Sequence, residues 1–325
     1  METTSLWTTL IKGVDAGVAE AFDQAKQVYQ LEGGMLRLFN GKSTDQDRVV
    51  VSGKTPAGEL TKRTQGNEAA QKNRFKLFDT EFIPVEYAGY IEVTKRTLRT
   101  RAFAGIFDEA KDLTIAGQLS QDKSLAQVFN GGFNTTLTVN GYDISRYGDS
   151  DPLFSTVHGR ADGGADQSNA SSTGIVFNNT NLETGLLAVI EVLNDDGSPV
   201  SVIGKPVVVN PPALNKEVYQ SLNSELEAGT ANNNINYYKG AVTDNLMTNF
   251  LSGATGFGGS NTAWFVVYPD RAQLRKYSLW GLELDRDRDV KSGTWTYVID
   301  AAWAFGHSDW HYTFGSAGDG AAYSS

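Results

Sequence analysis

Four short constellations in this chain hold residue types that can do chemistry. Ser155 and His158, within Leu153-Phe-Ser-Thr-Val-His158, set a hydroxyl three residues before an imidazole, the types a nucleophile and its base require. No Gly-x-Ser-x-Gly elbow surrounds Ser155, and sequence places neither a third orienting group nor an oxyanion hole. A loop held by a histidine hydrogen bond is the preferred reading, and a Ser/His hydrolase stays as an alternative. His307 and His311 have a spacing that would aim both at one metal on a helix. Phe305, Trp310, Tyr312 and Phe314 instead read as an alternating strand, on which positions i and i+4 lie about 13 Å apart. Asp285-Arg-Asp-Arg-Asp289 puts three carboxylates on one face of a strand and two arginines on the other, a pattern of inter-strand or inter-subunit ion pairs rather than of a metal site. Asn40-Gly41-Lys42-Ser43 resembles the end of a phosphate loop, but the motif needs glycine where Leu36 stands, so a tight Asn-Gly turn is expected. The sequence therefore predicts no catalytic residue, no cofactor and no metal.

Composition narrows the remaining classes. The chain has 325 residues, no cysteine and three histidines, which removes disulfides, thiolate metal sites and cysteine nucleophiles. A net charge of −10 has the wrong sign for a surface that grips a phosphate backbone, so sequence-specific nucleic-acid binding is not expected. No apolar stretch is long enough to span a membrane, and residues 1–10 lack the pattern of a signal peptide, so no membrane partner and synthesis in the cytoplasm are expected. Charge is unevenly spread: residues 41–80 carry 8 basic and 5 acidic side chains, residues 141–230 carry 4 and 12. A basic segment of one copy could lie on an acidic surface of another.

The elements follow from periodicity. Leu6, Trp7, Leu10, Ile11, Val14, Val18 and Phe22 form one apolar stripe of a helix of about 20 residues, ended by Gly33-Gly34. Residues 41–76 are polar and turn-rich, too poor in apolar side chains to own a core, and fit a linker or an extended hairpin in need of a partner surface. Strand-like residues 82–93 precede a long helical pattern from Thr94 to Asn130, with a break possible near Ser120–Asp122. A Gly/Asn/Asp/Ser-rich loop follows to residue 180. Thr180-Asn-Leu-Glu183 has capping-box spacing for a helix facing inward through Leu182, Leu186, Leu187, Ile190 and Leu193. Lys205–Asn210 reads as a buried strand, and Pro211-Pro212 opens a helix with Leu214, Val218, Tyr219 and Leu222 inward. Strands are expected at 264–269, 282–290, 294–303 and 304–314. The fold class is α+β, with helices and strands segregated.

The order of these segments resembles the major capsid protein family of tailed bacteriophages, the fold shared with encapsulin shells. The resemblance rests on Thr94–Asn130 as a spine helix entered from Ala88–Val93, and on Asp151-Pro-Leu-Phe-Ser-Thr-Val-His-Gly159, similar to a segment that follows that helix in many phage head subunits. Gly204–Leu214, Ala263–Tyr268 and Ala304–Trp310 complete it. It implies an N-arm at 1–35, an extended E-loop at 36–90, a P domain with the spine helix at 91–130 and strands at 250–300, an A domain at 131–249, and an A-domain return with the C-terminus at 301–325. It also implies self-assembly into hexamers and pentamers of an icosahedral shell around DNA, a virion location, and portal and decoration proteins as partners. A separate scaffolding protein is expected, because no long extension precedes the N-arm. Subunit contacts are expected through Trp7 and Leu10 of the N-arm and through Arg48, Lys54, Lys62, Arg63, Lys72 and Arg74 of the basic arm. An encapsulin-like shell for enzyme cargo is the alternative within the same fold.

Overall fold

A computed structural model describes residues 2–32, 34–55, 60, 62–69, 71, 74, 76–100, 103–134, 138–139, 141–145, 149–201, 204–226, 234–253 and 258–320. Within them, the side chains of 2–10, 28–32, 99, 103–104, 139 and 143 fall outside the description. The chain begins with helix α1 (Glu2–Glu32), followed by strands β1 (Asn40–Ser43), β2 (Val49–Lys54), β3 (Lys76–Phe82) and β4 (Val85–Val93). A short helix α2 (Lys95–Arg99), capped by the Thr94 hydroxyl on the Thr97 amide, leads into α3 (Phe103–Asn130). Next come β5 (Thr138–Val139), β6 (Tyr142–Asp143), α4 (Asn179–Ile190), β7 (Val207–Asn210), α5 (Asn215–Asn223), β8 (Asp244–Met247) and β9 (Trp264–Val267). The last strands are β10 (Leu274–Arg288), β11 (Trp295–His307) and β12 (Thr313–Ser316).

Two four-stranded sheets organise the body, in the orders β1-β10-β11-β4 and β12-β9-β7-β8, while β2 and β3 pair only with each other. Strict alternation divides the second sheet between two cores. Val207, Val209, Phe265 and Val267 face the end of α3 through Leu125, Val128 and Phe129. Val208, Trp264, Val266 and Phe314 face α4 and α5 through Leu182, Val189, Val218 and Leu222. Covered on both faces, β7, β9 and β12 are buried at every position.

Helix α3 runs without a break through Ser120–Asp122, where Ser120 and Ser124 return their hydroxyls to carbonyls four residues back. Leu119, expected inward, is exposed, while Ile106, Ala110, Leu125, Val128 and Phe129 are buried. Helix α1 extends over 31 residues, longer than its apolar stripe required. That stripe is already covered: Val14, Val18 and Ala21 pack on Ile106 and Ala110 of α3 and on Trp295 and Tyr297 of β11. Gly17 lies against the Phe107 ring, where any side chain would collide. Val14, Val18 and Ala21 of the stripe thus find their partner within the same chain.

Three local expectations change. The α4 cap is Asn178, whose side chain accepts from the Asn181 amide, and the buried positions are Leu182, Gly185 and Val189; Leu187 and Ile190 are exposed. A Cβ on Gly185 would stand 2.8 Å from the Phe314 ring, so the absence of a side chain, invisible to a hydrophobic-period count, sets the inward face. In α5, Val218 and Leu222 are buried but Tyr219 is exposed. The strand expected over 304–314 is interrupted by a turn at 308–312, in which Tyr312 has φ +67°.

Candidate assembly interface

Strands β2 and β3 form an antiparallel hairpin, with Val49 opposite Phe82 and Lys54 opposite Lys76 across a register shift. Its root is apolar. Phe82 is fully buried against Tyr277 and Ala304, with Val49 and Val51 beside it. Away from the root burial falls off except at Thr55: Val50 and Phe78 are about half exposed, Leu60 is 91% exposed, and 62–69, 71 and 74 are exposed throughout. A two-stranded ribbon without a covering layer buries too little apolar surface to be held by its own packing.

Three of the six basic side chains expected to reach a neighbour are engaged within this hairpin. Arg48 pairs with Glu81 at 2.6 Å, Arg74 Nε donates to the Thr55 carbonyl at 2.9 Å, and Arg63 Nε donates to the Asn67 carbonyl. Lys54 and Lys62 are exposed, and no ion pair holds either of them among the described residues. Lys72 and the side chains of Trp7 and Leu10 lie outside the described residues. Lys76 pairs with Asp79 at 2.6 Å, and that contact with a bond from Ser52 holds the Asp79 carboxyl below its usual range. The carboxylates of Asp285 and Asp287 stand exposed near the end of β10, and Asp289 falls in the following turn, where it accepts from Ser292 and Lys291. Of the interleaved arginines, Arg286 pairs with Asp15 of α1 and Arg288 lies 4.8 Å over the Trp295 ring. These are ties within the subunit. The Asn40–Ser43 segment is a strand parallel to β10 rather than a tight turn.

The three histidines are buried, while Ser155 is partly exposed. Ser155 Oγ donates to the Val157 carbonyl and accepts from the Val157 amide, a local turn contact. His158 is buried, with Nδ1 3.3 Å from Asp149 Oδ2 and Nε2 3.3 Å from Asn169 Oδ1. Asn169 is the hub: its Nδ2 donates to the Leu153 carbonyl at 2.7 Å and to Thr313 Oγ1 at 3.2 Å, and its Oδ1 accepts from the Ser155 amide at 3.0 Å. Asp149, Asp151 and His158 bring one polar atom each within 4.8 Å of one another, a grouping that sequence missed because loop residues carry no period. Both nitrogens of His158 are spent on hydrogen bonds, so the group is a hydrogen-bonded cluster; burial and the nearby Asp149 push the Asp151 carboxyl up. His307 ends β11 and His311 lies within the 308–312 turn, so the two do not share a strand. The segment from Leu153 to His158 thus works as packing and hydrogen bonding, not as a nucleophile and base.

No family model and no curated protein sequence matches this chain. Solved structures do resemble it in fold. A virus-like particle from Pyrococcus furiosus is 8% identical, with 94% of this chain and 98% of that one covered at a TM-score of 0.46. The capsid of Ralstonia phage GP4 is 14% identical, covering 86% and 87% at 0.47. Microbacterium phage Oxtober96 is 11% identical, covering 87% and 91% at 0.49. Among the described residues, no helix is long and apolar enough to cross a membrane.

Proposed function

We propose that this chain is a major capsid protein of a tailed bacteriophage, assembling through hexamers and pentamers into an icosahedral head around double-stranded DNA. The observation that carries the reading is the β2–β3 hairpin: rooted by Phe82, exposed beyond it, and in need of a surface its own subunit does not supply. Stability then belongs in part to the assembly, since a contact made only between subunits lowers the free energy of the bound state alone. The order of motifs along the sequence supports the same reading. A charge of −10 suits a container whose wall must not hold its nucleic acid tightly. No catalytic work is assigned, and scaffolding, portal and decoration proteins are the partners this role brings with it.

The test is negative-stain microscopy with size-exclusion chromatography, on the full chain and on a variant with residues 53–77 replaced by a short Gly-Ser turn. That deletion spares β1, which belongs to the first sheet. The full chain, alone or with a co-expressed scaffolding protein, gives rings or closed particles, and the variant gives folded protein without shells. Closed particles from the variant would reject the role of the hairpin. A monomeric full chain in both preparations would reject the capsid reading.

A further inference from the structure

The turn at 308–312 carries the chain from one sheet to the other, since β11 ends at His307 in the first sheet and β12 begins at Thr313 in the second. Tyr312 holds φ +67° within it, a conformation unfavourable for an aromatic residue, so surrounding contacts must fix the turn. His311 supplies them. Its Nδ1 is 2.5 Å from Asp309 Oδ1 and its Nε2 is 3.2 Å from the Leu193 carbonyl. Both partners only accept, and an imidazole that donates from both nitrogens is the imidazolium.

Trp310 extends the contact. Its indole stacks on His311 and on His158, each at 4.1 Å between centroids, with interplanar angles of 20° and 4°. Two near-parallel imidazoles this close to one indole would overlap on a single face, so they take opposite faces. The stack joins the loop around His158, the turn after α4 at Leu193, and the junction between sheets. The groups facing His311 are Asp309 from its own turn and Asp195 from the turn after α4, with His307 beside Asp309. On the far side of the indole, Asp149 and Asp151 face His158, with Asp166 near Asp151. Burial would lower the His311 pKa, but Asp309, Asp195 and the Leu193 carbonyl outweigh it and raise it above the usual 6.5. Burial likewise opposes the Asp309 charge, and His311 nonetheless holds that carboxyl below 3.8.

We propose that the His311–Asp309 pair is a proton-operated clamp on the junction between the two sheets, closed while the imidazole carries two protons and released when it loses one. Loss of a proton forfeits one of the two bonds and leaves Asp309 without its countercharge. Because folding raises the His311 pKa, the clamp contributes fully below pH 6.5 and is lost as pH rises through the folded value. Because folding lowers the Asp309 pKa, the pair is also lost as pH falls below 3.8 through that folded value.

The experiment uses the full chain labelled with 15N-histidine and magic-angle-spinning spectra, which read imidazoles in subunits and shells alike. Three histidines make assignment direct, with His158→Gln and His307→Gln as references. His311 is expected to keep both protons up to a midpoint above 6.5. Amide exchange at 308–313, corrected for its intrinsic pH dependence, rises through the same midpoint while β9 stays protected. Asp309→Asn moves both midpoints down together by at least one pH unit, a tenfold weaker hold on the proton. A His311 midpoint at or below 6.5 in the wild type overturns the proposal, whether or not Asp309→Asn folds. So does an exchange transition that fails to track the His311 midpoint.

Discussion

Phe154 and Gly315 make a slot whose energetics can be worked in advance. The Phe154 ring is 1% exposed and packs 5.1 Å from both Phe133 and Phe265, with Phe129 at 6.3 Å. A Cβ on Gly315 would stand 2.5 Å from that ring, roughly 1 Å inside the optimum carbon separation. Phe154→Ala loses about 2–3 kcal/mol of transfer free energy. The hole it leaves, roughly 80 Å³ at about 24 cal/mol per Å³, adds about 2 kcal/mol, for a total of about 4–5 kcal/mol. Gly315→Ala presses a methyl group into a ring walled by three others and costs about 1–3 kcal/mol. In the Phe154→Ala background the same methyl enters vacated space, so its cost disappears. The two changes should therefore couple by about 1–3 kcal/mol. The assay is urea unfolding of the four subunits of the cycle at concentrations where they are monomeric, with equal m-values as the check on a common transition. Additivity within about 0.5 kcal/mol would refute the slot, as would a Phe154→Ala loss below about 1 kcal/mol.

Three other perturbations have outcomes set by local contacts and burial. Asn169→Ala strips partners from the Ser155 amide and the Leu153 carbonyl and should cost about 2–4 kcal/mol in the same unfolding assay; a loss under 0.5 kcal/mol removes Asn169 as the hub. Burial raises the Asp122 pKa to about 6, so folding favours its protonated form and stability falls on the order of 2 kcal/mol as pH rises from 3.8 to about 6. Asp122→Asn should flatten that segment of the stability profile, and an unchanged slope would assign it to another group. The neighbouring Lys276, lowered to about 8 by burial, should titrate lower still in this variant, because it loses its carboxylate attraction. For the exposed Lys54 and Lys62, assembly yield should fall between low and high salt and fall further in Lys54→Glu/Lys62→Glu; yields indifferent to both would exclude steering by these charges.

Much of this protein was legible in residue order. The long period up to Phe129 specified a helix over Phe103–Asn130, although the expected start at Thr94 falls in the separate helix Lys95–Arg99, and the apolar run Val207–Val209 specified a strand buried on both faces, because side-chain direction follows backbone period. The shortage of apolar residues at 41–76 likewise marked a segment that could not own a core. Only the tertiary structure decided which surface covers each stripe. Val14 and Val18 are as apolar as a contact with a neighbour would need, yet α3 of the same chain covers them. Gly185 sets the inward face of α4 because Phe314 and Trp264 approach it across a gap in sequence of more than seventy residues. The same holds for His158 and His311, each unremarkable in its own segment and joined only by the faces of Trp310. A sequence period states which way a side chain points; what it meets there depends on contacts between distant segments, which local spacing does not encode.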